Sequence, residues 1–224
     1  MTQPIVIAVD GTAASGKGTL AKKLAAHFDL PHLDSGALYR LTALGVLDAG
    51  GDPANEAEAV KAARAVDFAR AADPAIRTDA VGAAASKVAA IPAVRAALFE
   101  FQRRFVEQPP GGAAGAVVDG RDIGTVICPE AAAKLFVDAA PAVRAHRRWL
   151  ELQSMGIARD EKELEAELVA RDAADRARAV SPLRQAADAA LLDTSNLGID
   201  AAFAAALALV EPKLKGLLKA KPRG

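Results

Sequence analysis

The chain has 224 residues, enough for one α/β domain with an inserted lobe and too few for two large independent domains. Lysine plus arginine equals aspartate plus glutamate at 28 each, so no net field draws the protein to nucleic acid or an anionic membrane, and aromatics at 4% are too sparse for a base-stacking surface. A single cysteine, Cys128, excludes an internal disulfide and suits a reducing compartment.

The opening M-T-Q-P has none of the parts of a signal peptide, and no apolar run reaches membrane-spanning length, so a cytoplasmic protein is expected. Residues 5–20 read I-V-I-A-V-D-G-T-A-A-S-G-K-G-T-L. The β-formers Ile5, Val6, Ile7 and Val9 end in Asp10, a loop with Gly11, Gly16 and Gly18 comes next, and a helix is expected over 20–28. Such glycines let successive amide groups point inward as an anion nest, and the helix after them adds the positive end of its dipole. Lys17 then supplies a charge for terminal phosphates, and Thr19 is placed to ligate magnesium. The alternative is a glycine-rich turn with an exposed lysine. The strict phosphate-loop pattern is missed by one position, because Gly18 succeeds Lys17 and the hydroxyl comes at Thr19. This G-K-G-T spelling resembles the nucleoside-monophosphate kinases.

Residues 30–33 are a fifth-strand candidate running into Asp34-Ser35-Gly36, capping chemistry for a helix over 37–47. A second helix begins after Asn55 and runs to about 65, Asp73-Pro74 is a helix breaker, and helices are expected over 76–90 and from Pro92 to about 106. Pro109-Pro110-Gly111-Gly112 is a break. Beyond it, 116–118 and 134–137 are short apolar strands, each ending in an acidic residue, as buried parallel strands do. Helices over 141–155 and 161–179, with Gly156 as hinge, a strand over 189–192 and a helix over 199–218 complete the chain, and the tail K-A-K-P-R-G is expected to be disordered. Strands alternating with helices predict a doubly wound parallel sheet, with ligands beyond the carboxyl ends of its strands.

Three further stretches carry chemistry. Ser35 at a helix start and Arg40 further along suit a second phosphate, or are an N-cap and a solvated arginine. The run D-G-R-D-I-G-T over 119–125 suits a polar ligand, with Arg121 reaching phosphate and a carboxylate accepting from an exocyclic amine, or is a polar turn. Arg171, Asp175 and Arg178 share one helix face, and Asp172 with Arg176 makes an i, i+4 pair, which by itself fits a surface charge ladder. Arg144, Arg147 and Arg148 on the preceding helix turn that reading toward a lid closing over phosphates. Cys128 and Trp149 read as packing residues.

Together, G-x-x-x-x-G-K-G-T, L-D-S-G-A-L-Y-R, D-G-R-D-I-G-T and R-D-x-x-D-R-x-R-A-V-S-P-L, with A-S-K-V-A-A-I-P-A-V-R over 85–95, resemble the bacterial cytidylate kinases across about residues 5–193. The resemblance implies a P-loop kinase whose doubly wound, five-stranded parallel sheet is flanked by helices, with phosphoryl transfer from ATP to CMP or dCMP and Mg²⁺ as cofactor. ATP would be held by Gly11, Thr12, Ala13, Ala14, Ser15, Gly16, Lys17, Gly18 and Thr19. Ser35, Arg40, Ser86, Arg95, Arg121, Asp122, Arg171, Asp175 and Arg178 would line the CMP site. Lys17, Arg148 and Arg171 would gather on the transferred phosphoryl, and Thr19 would hold Mg²⁺ together with phosphates and water. A single domain over 1–224 is expected, with its core at about 1–34, 113–145 and 180–218, a monophosphate-binding lobe at about 35–110 and an arginine-rich lid at about 146–178, acting as a monomer. The family's small β-sheet in that lobe does not fit into residues 66–75, so a reduced, helical lobe is expected. Other readings are a kinase for UMP or AMP, and an ATP-binding switch or assembly factor.

Overall fold

The computed structural model describes residues 4–217; the K-A-K-P-R-G tail and the last residue of the expected closing helix lie outside the described residues. The elements in chain order are β1 (Ile5–Gly11), α1 (Lys17–Phe28), β2 (His32–Asp34), α2 (Ser35–Asp48), α3 (Glu56–Arg64), two 3-10 turns (Phe68–Ala72 and Pro74–Arg77), α4 (Asp79–Ala90) and α5 (Pro92–Glu107). They continue with β3 (Gly115–Gly120), β4 (Ala133–Asp138), α6 (Pro141–Ser154), α7 (Glu161–Ala177), β5 (Ala190–Asp193) and α8 (Ile199–Leu214).

The five strands form one sheet in the order β2-β3-β1-β4-β5. The pairs β1/β3, β1/β4 and β4/β5 are parallel, as the alternation with helices requires. All seven residues of β1 are buried, which suits the central strand of a sheet covered on both faces. Alternate residues Ile5, Ile7 and Val9, with Val117, Leu135, Val137 and Leu192, form one core with Leu20, Ala21 and Leu24 of α1 and Ala202, Ala206 and Val210 of α8. Both helices therefore lie on the same face of the sheet.

By contacts the chain divides into two compact units, one formed by Met1–His32 with Glu107–Gly224, the other by Leu33–Val106. The first holds the sheet core together with α6 and α7. These two helices share a small core of their own, in which Trp149 and Leu168 pack against Ala145, Leu152 and Leu164. Cys128 is fully buried, in keeping with a packing role. In the second unit α2 packs on α3 and α4, and Phe68 lies 6.0 Å from Phe101 and 6.5 Å from Phe105. Residues 66–75 carry no strand. Asp67 and Asp73 instead accept from Ala69 N–H and Ala75 N–H and cap the two 3-10 turns.

The structure departs from the sequence expectations in places. The helix expected over 76–90 is split, because the Thr78 hydroxyl accepts from Val81 N–H in an extended residue and starts α4 afresh after the Pro74–Arg77 turn. The strand expected over 30–33 is displaced to His32–Asp34, and α1 starts at Lys17, immediately after the left-handed Gly16. The second half of the 119–125 run winds into a π-helical turn over Ile123–Ile127. The closing helix stops at Leu214.

Candidate active site

Between β1 and α1 the chain makes a tight loop. At Gly11 a Cβ would stand 2.0 Å from the carbonyl oxygen of Val137, its register partner on β4, and φ is +154°, so only glycine lets β1 end beside that strand. Thr12 donates its hydroxyl to Asp138 Oδ1 at 2.6 Å, and Ser15 donates to the Thr12 carbonyl at 3.0 Å. Ala14 has φ +57° and Gly16 φ +87°, alternations that turn successive amides toward one side. The Lys17 ammonium lies 3.3 Å from the Thr12 carbonyl, folded back over the loop. Thr19 is exposed on the first turn of α1. Residues 11–19 are thus one nest at the positive end of a 12-residue helix.

At the end of β3, next to β1, acidic and basic groups collect. Arg121 donates from Nε to Asp175 Oδ2 at 2.9 Å, and Arg178 donates to the other oxygen of Asp175. Burial pushes the Asp175 carboxyl up, but the charges of Arg121 and Arg178 outweigh it and hold the group below its ordinary value of 3.8; Arg171 adds to the pull. Arg121, Arg171, Asp175 and Arg178 therefore stand together, with Arg178 just beyond the end of α7 at Ala177. Asp122 is buried beside them and acts on Asp10 as a neighbouring charge.

Asp10 itself accepts from Ile123 N–H at 2.8 Å and from Gly124 N–H at 2.7 Å, so the end of β1 holds the π-helical turn that comes after Asp122. Burial lifts its pKa to about 7, against the pull of those two bonds. Asp119 Oδ1 accepts from His32 Nε2 at 2.7 Å when that imidazole nitrogen carries the hydrogen, and a Cβ at Gly18 would lie 3.7 Å from its other oxygen. Its carboxylate stands against the start of α1.

In the helical unit, Ser35 opens α2 and is buried, while Asp34 is the N-cap that accepts from Ala37 N–H. Arg40 donates to the Ile76 carbonyl at 2.9 Å and borders Gly82, whose own carbonyl accepts from Ser86 at 3.3 Å. Arg95 is buried, donates to the Ala89 carbonyl at 3.3 Å and lies 5.4 Å from the ring of Tyr39. These four residues are gathered within one unit.

On α6 the arginines differ from the lid expectation. Arg144 is buried and turned inward, toward Asp172 and the Ala13 carbonyl. Arg147 donates to the carbonyls of Thr194 at 2.7 Å and Leu197 at 3.3 Å. Both guanidiniums bond to protein groups, and Arg147 also reaches the Ser15 carbonyl of the glycine loop at 3.5 Å. Asp172 correspondingly pairs with Arg144 across helices, where an i, i+4 pair with Arg176 was expected. Arg148 pairs with Glu151 one turn on, at 2.8 Å, and stays partly exposed.

The family model described as cytidylate kinase matches residues 7–212 of this chain. The chain belongs to the cytidylate kinase family. It is 55% identical over 207 residues to the cytidylate kinase of Rhodopseudomonas palustris (strain TIE-1), covering 92% of this chain and 96% of that protein. Over the same length it is 55% identical to the cytidylate kinase of Afipia carboxidovorans, covering 92% of this chain and 97% of that one. Among solved structures, an uncharacterized protein from Eubacterium ventriosum aligns with a TM-score of 0.52 at 14% identity, over 92% of this chain and 98% of that chain, a likeness of fold alone.

Within this cytidylate kinase fold the partners of three residues escape sequence reasoning. Asp119 had a readable signal, an acid ending a strand candidate; that this strand lies beside β1 was not readable. Asp10 carried the same signal and Arg144 was read as a lid arginine, but that Asp10 meets the Ile123 amide and Arg144 the Ala13 carbonyl, each more than 100 residues away in the chain, was not readable. Among the described residues no three histidine, cysteine or carboxylate side chains cluster as a metal cage. The exposed Thr19 hydroxyl beside a phosphate nest therefore fits a cation that takes its other ligands from phosphates and water, as Mg²⁺ does.

Proposed function

We propose that the protein transfers the γ-phosphoryl group of ATP to CMP and dCMP, giving CDP or dCDP and ADP. The observation that carries this is the Lys17 phosphate nest beside the Arg121–Asp175–Arg178 cluster, in a chain of the cytidylate kinase family. In the transfer, an oxygen of the acceptor monophosphate forms a bond to the γ-phosphorus as the bond from that phosphorus to the β-bridging oxygen breaks. The acceptor is already an anion, so no general base is needed, and catalysis rests on alignment and charge neutralisation. Bound Mg²⁺, held by Thr19 with phosphates and water, would neutralise charge on the β- and γ-oxygens.

Lys17, Arg148 and Arg171 are proposed to act on the moving phosphoryl group, and residues 11–19 to hold ATP. Arg121 holds the acceptor phosphate and Asp122 accepts from the cytosine amine, with Arg171, Asp175 and Arg178 completing this unit's share of the acceptor contacts. Ser35, Arg40, Ser86 and Arg95 are the proposed acceptor residues of the helical unit. The deciding experiment is initial-rate ADP production from Mg-ATP with CMP, dCMP, UMP, AMP or no acceptor. A rate that appears with CMP and dCMP and hardly with the others supports the proposal. Preference for UMP or AMP removes the role of Asp122, and a rate indifferent to acceptor points to a nucleotide switch.

A further inference from the structure

Behind the loop of residues 11–19, one ion pair grips both backbone groups, N–H and C=O, of a single residue, Ala13. Arg144 on α6 donates from Nη1 to Asp172 Oδ2 at 2.5 Å and to the Ala13 carbonyl at 3.0 Å, while its Nε donates to the Ala139 carbonyl at 2.8 Å. Asp172 on α7 accepts Ala13 N–H on its other oxygen at 3.2 Å. The two side chains are 4% and 2% exposed, so solvent does not compete for these bonds. The next residue, Ala14, is left-handed with φ +57°, a conformation that a residue with a Cβ keeps only where its surroundings over-determine it.

We infer that the Arg144–Asp172 pair is a positioning device for phosphoryl transfer: by clamping the N–H and C=O of Ala13 it holds the phosphate nest in its binding shape, and it fixes that shape to α7, the helix carrying Arg171 and Asp175. Three facts converge on this. The pair spans two helices and contacts the loop through its backbone, so it is indifferent to side-chain identity at position 13. The clamp sits immediately before the strained residue. Asp172 is the direct chain neighbour of Arg171, so any shift of the loop against α7 moves the donor site relative to a proposed phosphoryl-stabilising arginine. An isolated buried ion pair adds little to stability relative to apolar side chains of similar volume, which leaves geometry as the property this pair supplies.

The inference rests on the proposed CMP kinase reaction, so the test separates the two. Wild-type protein must first show ADP release dependent on CMP; its absence counts against the reaction, and then ATP affinity alone, read by titration calorimetry, decides the clamp. The double variant Arg144→Met with Asp172→Leu removes both buried charges at once and keeps the core apolar. Arg144→Lys keeps the charge opposite Asp172 but loses the fork that reaches two carbonyls, and it serves if the double variant does not fold. In whichever variant retains a cooperative unfolding transition, kcat at saturating ATP and CMP should fall about 100-fold, and ATP should bind more weakly. The dissociation constant for CMP should stay within about twofold. Wild-type kcat together with wild-type ATP affinity in a folded variant would overturn the inference. So would an equal loss in CMP affinity, which marks general loosening of the fold.

Discussion

Burial lifts the Asp10 carboxyl to about 7, with the neighbouring charge of Asp122 adding to it, while N–H bonds from Gly124 and Ile123 and the charge of Arg121 oppose the shift. From an unfolded value of 3.8, the folded chain holds a proton that the unfolded chain releases between 3.8 and about 7. The Asp10 contribution to stability is therefore complete below the unfolded value and lost as pH rises through the folded one. Urea midpoints measured from about pH 5 to pH 8 should fall over that interval in the wild-type protein and fall less steeply in Asp10→Asn. The variant should also carry a pH-independent loss of about 1–3 kcal/mol, because one of the two backbone N–H groups would face an amide NH₂. Parallel slopes would mean that Asp10 stays ionised throughout. Asp175 shows the opposite balance. It is buried too, yet two arginines on its oxygens keep it charged, so it acts as a fixed anion that orients Arg121 and Arg178.

Among the elements, those with local punctuation match their sequence signals. Asn55 accepts from Glu58 N–H at 3.2 Å and starts α3, and the Glu58 carboxylate in turn accepts from Asp52 N–H at 2.8 Å. Asn55→Ala should destabilise the protein by about 1 kcal/mol through loss of this cap, seen as a lower urea midpoint with an unchanged slope. An unaltered midpoint would show that tertiary packing holds α3 without it. The same local logic explains Pro92 opening α5 and Pro141 opening α6. It fails at Ile123–Ile127, where a π-helical turn forms because Asp10 captures two of its amides. It fails again on α6, where arginines spaced like a phosphate-binding face turn inward to carbonyls.

For the molecule as a whole, binding to the folded state is linked to stability. CMP at about 100 times its dissociation constant should raise the unfolding free energy by about 2.7 kcal/mol, roughly 5–10 °C in Tm by scanning fluorimetry, and UMP at equal concentration should raise it less. No shift with CMP would remove it as a ligand. The sequence by itself determined the strand–loop–helix order, the parallel α/β class, the glycine loop over 11–19 that ends in Lys17 and Thr19 at the start of α1, and the absence of room for strands in 66–75. Those features depend on residues adjacent in the chain, and backbone conformation is set there by local pattern and capping. Only the tertiary structure decided that β1 lies between β3 and β4, which sets Asp119 against the start of α1, gives Asp10 the amides of Ile123 and Gly124, and sets Arg144 with Asp172 on Ala13. Those partners stand far apart in sequence, and which of several charged side chains meets which backbone group depends on how sheet and helices pack.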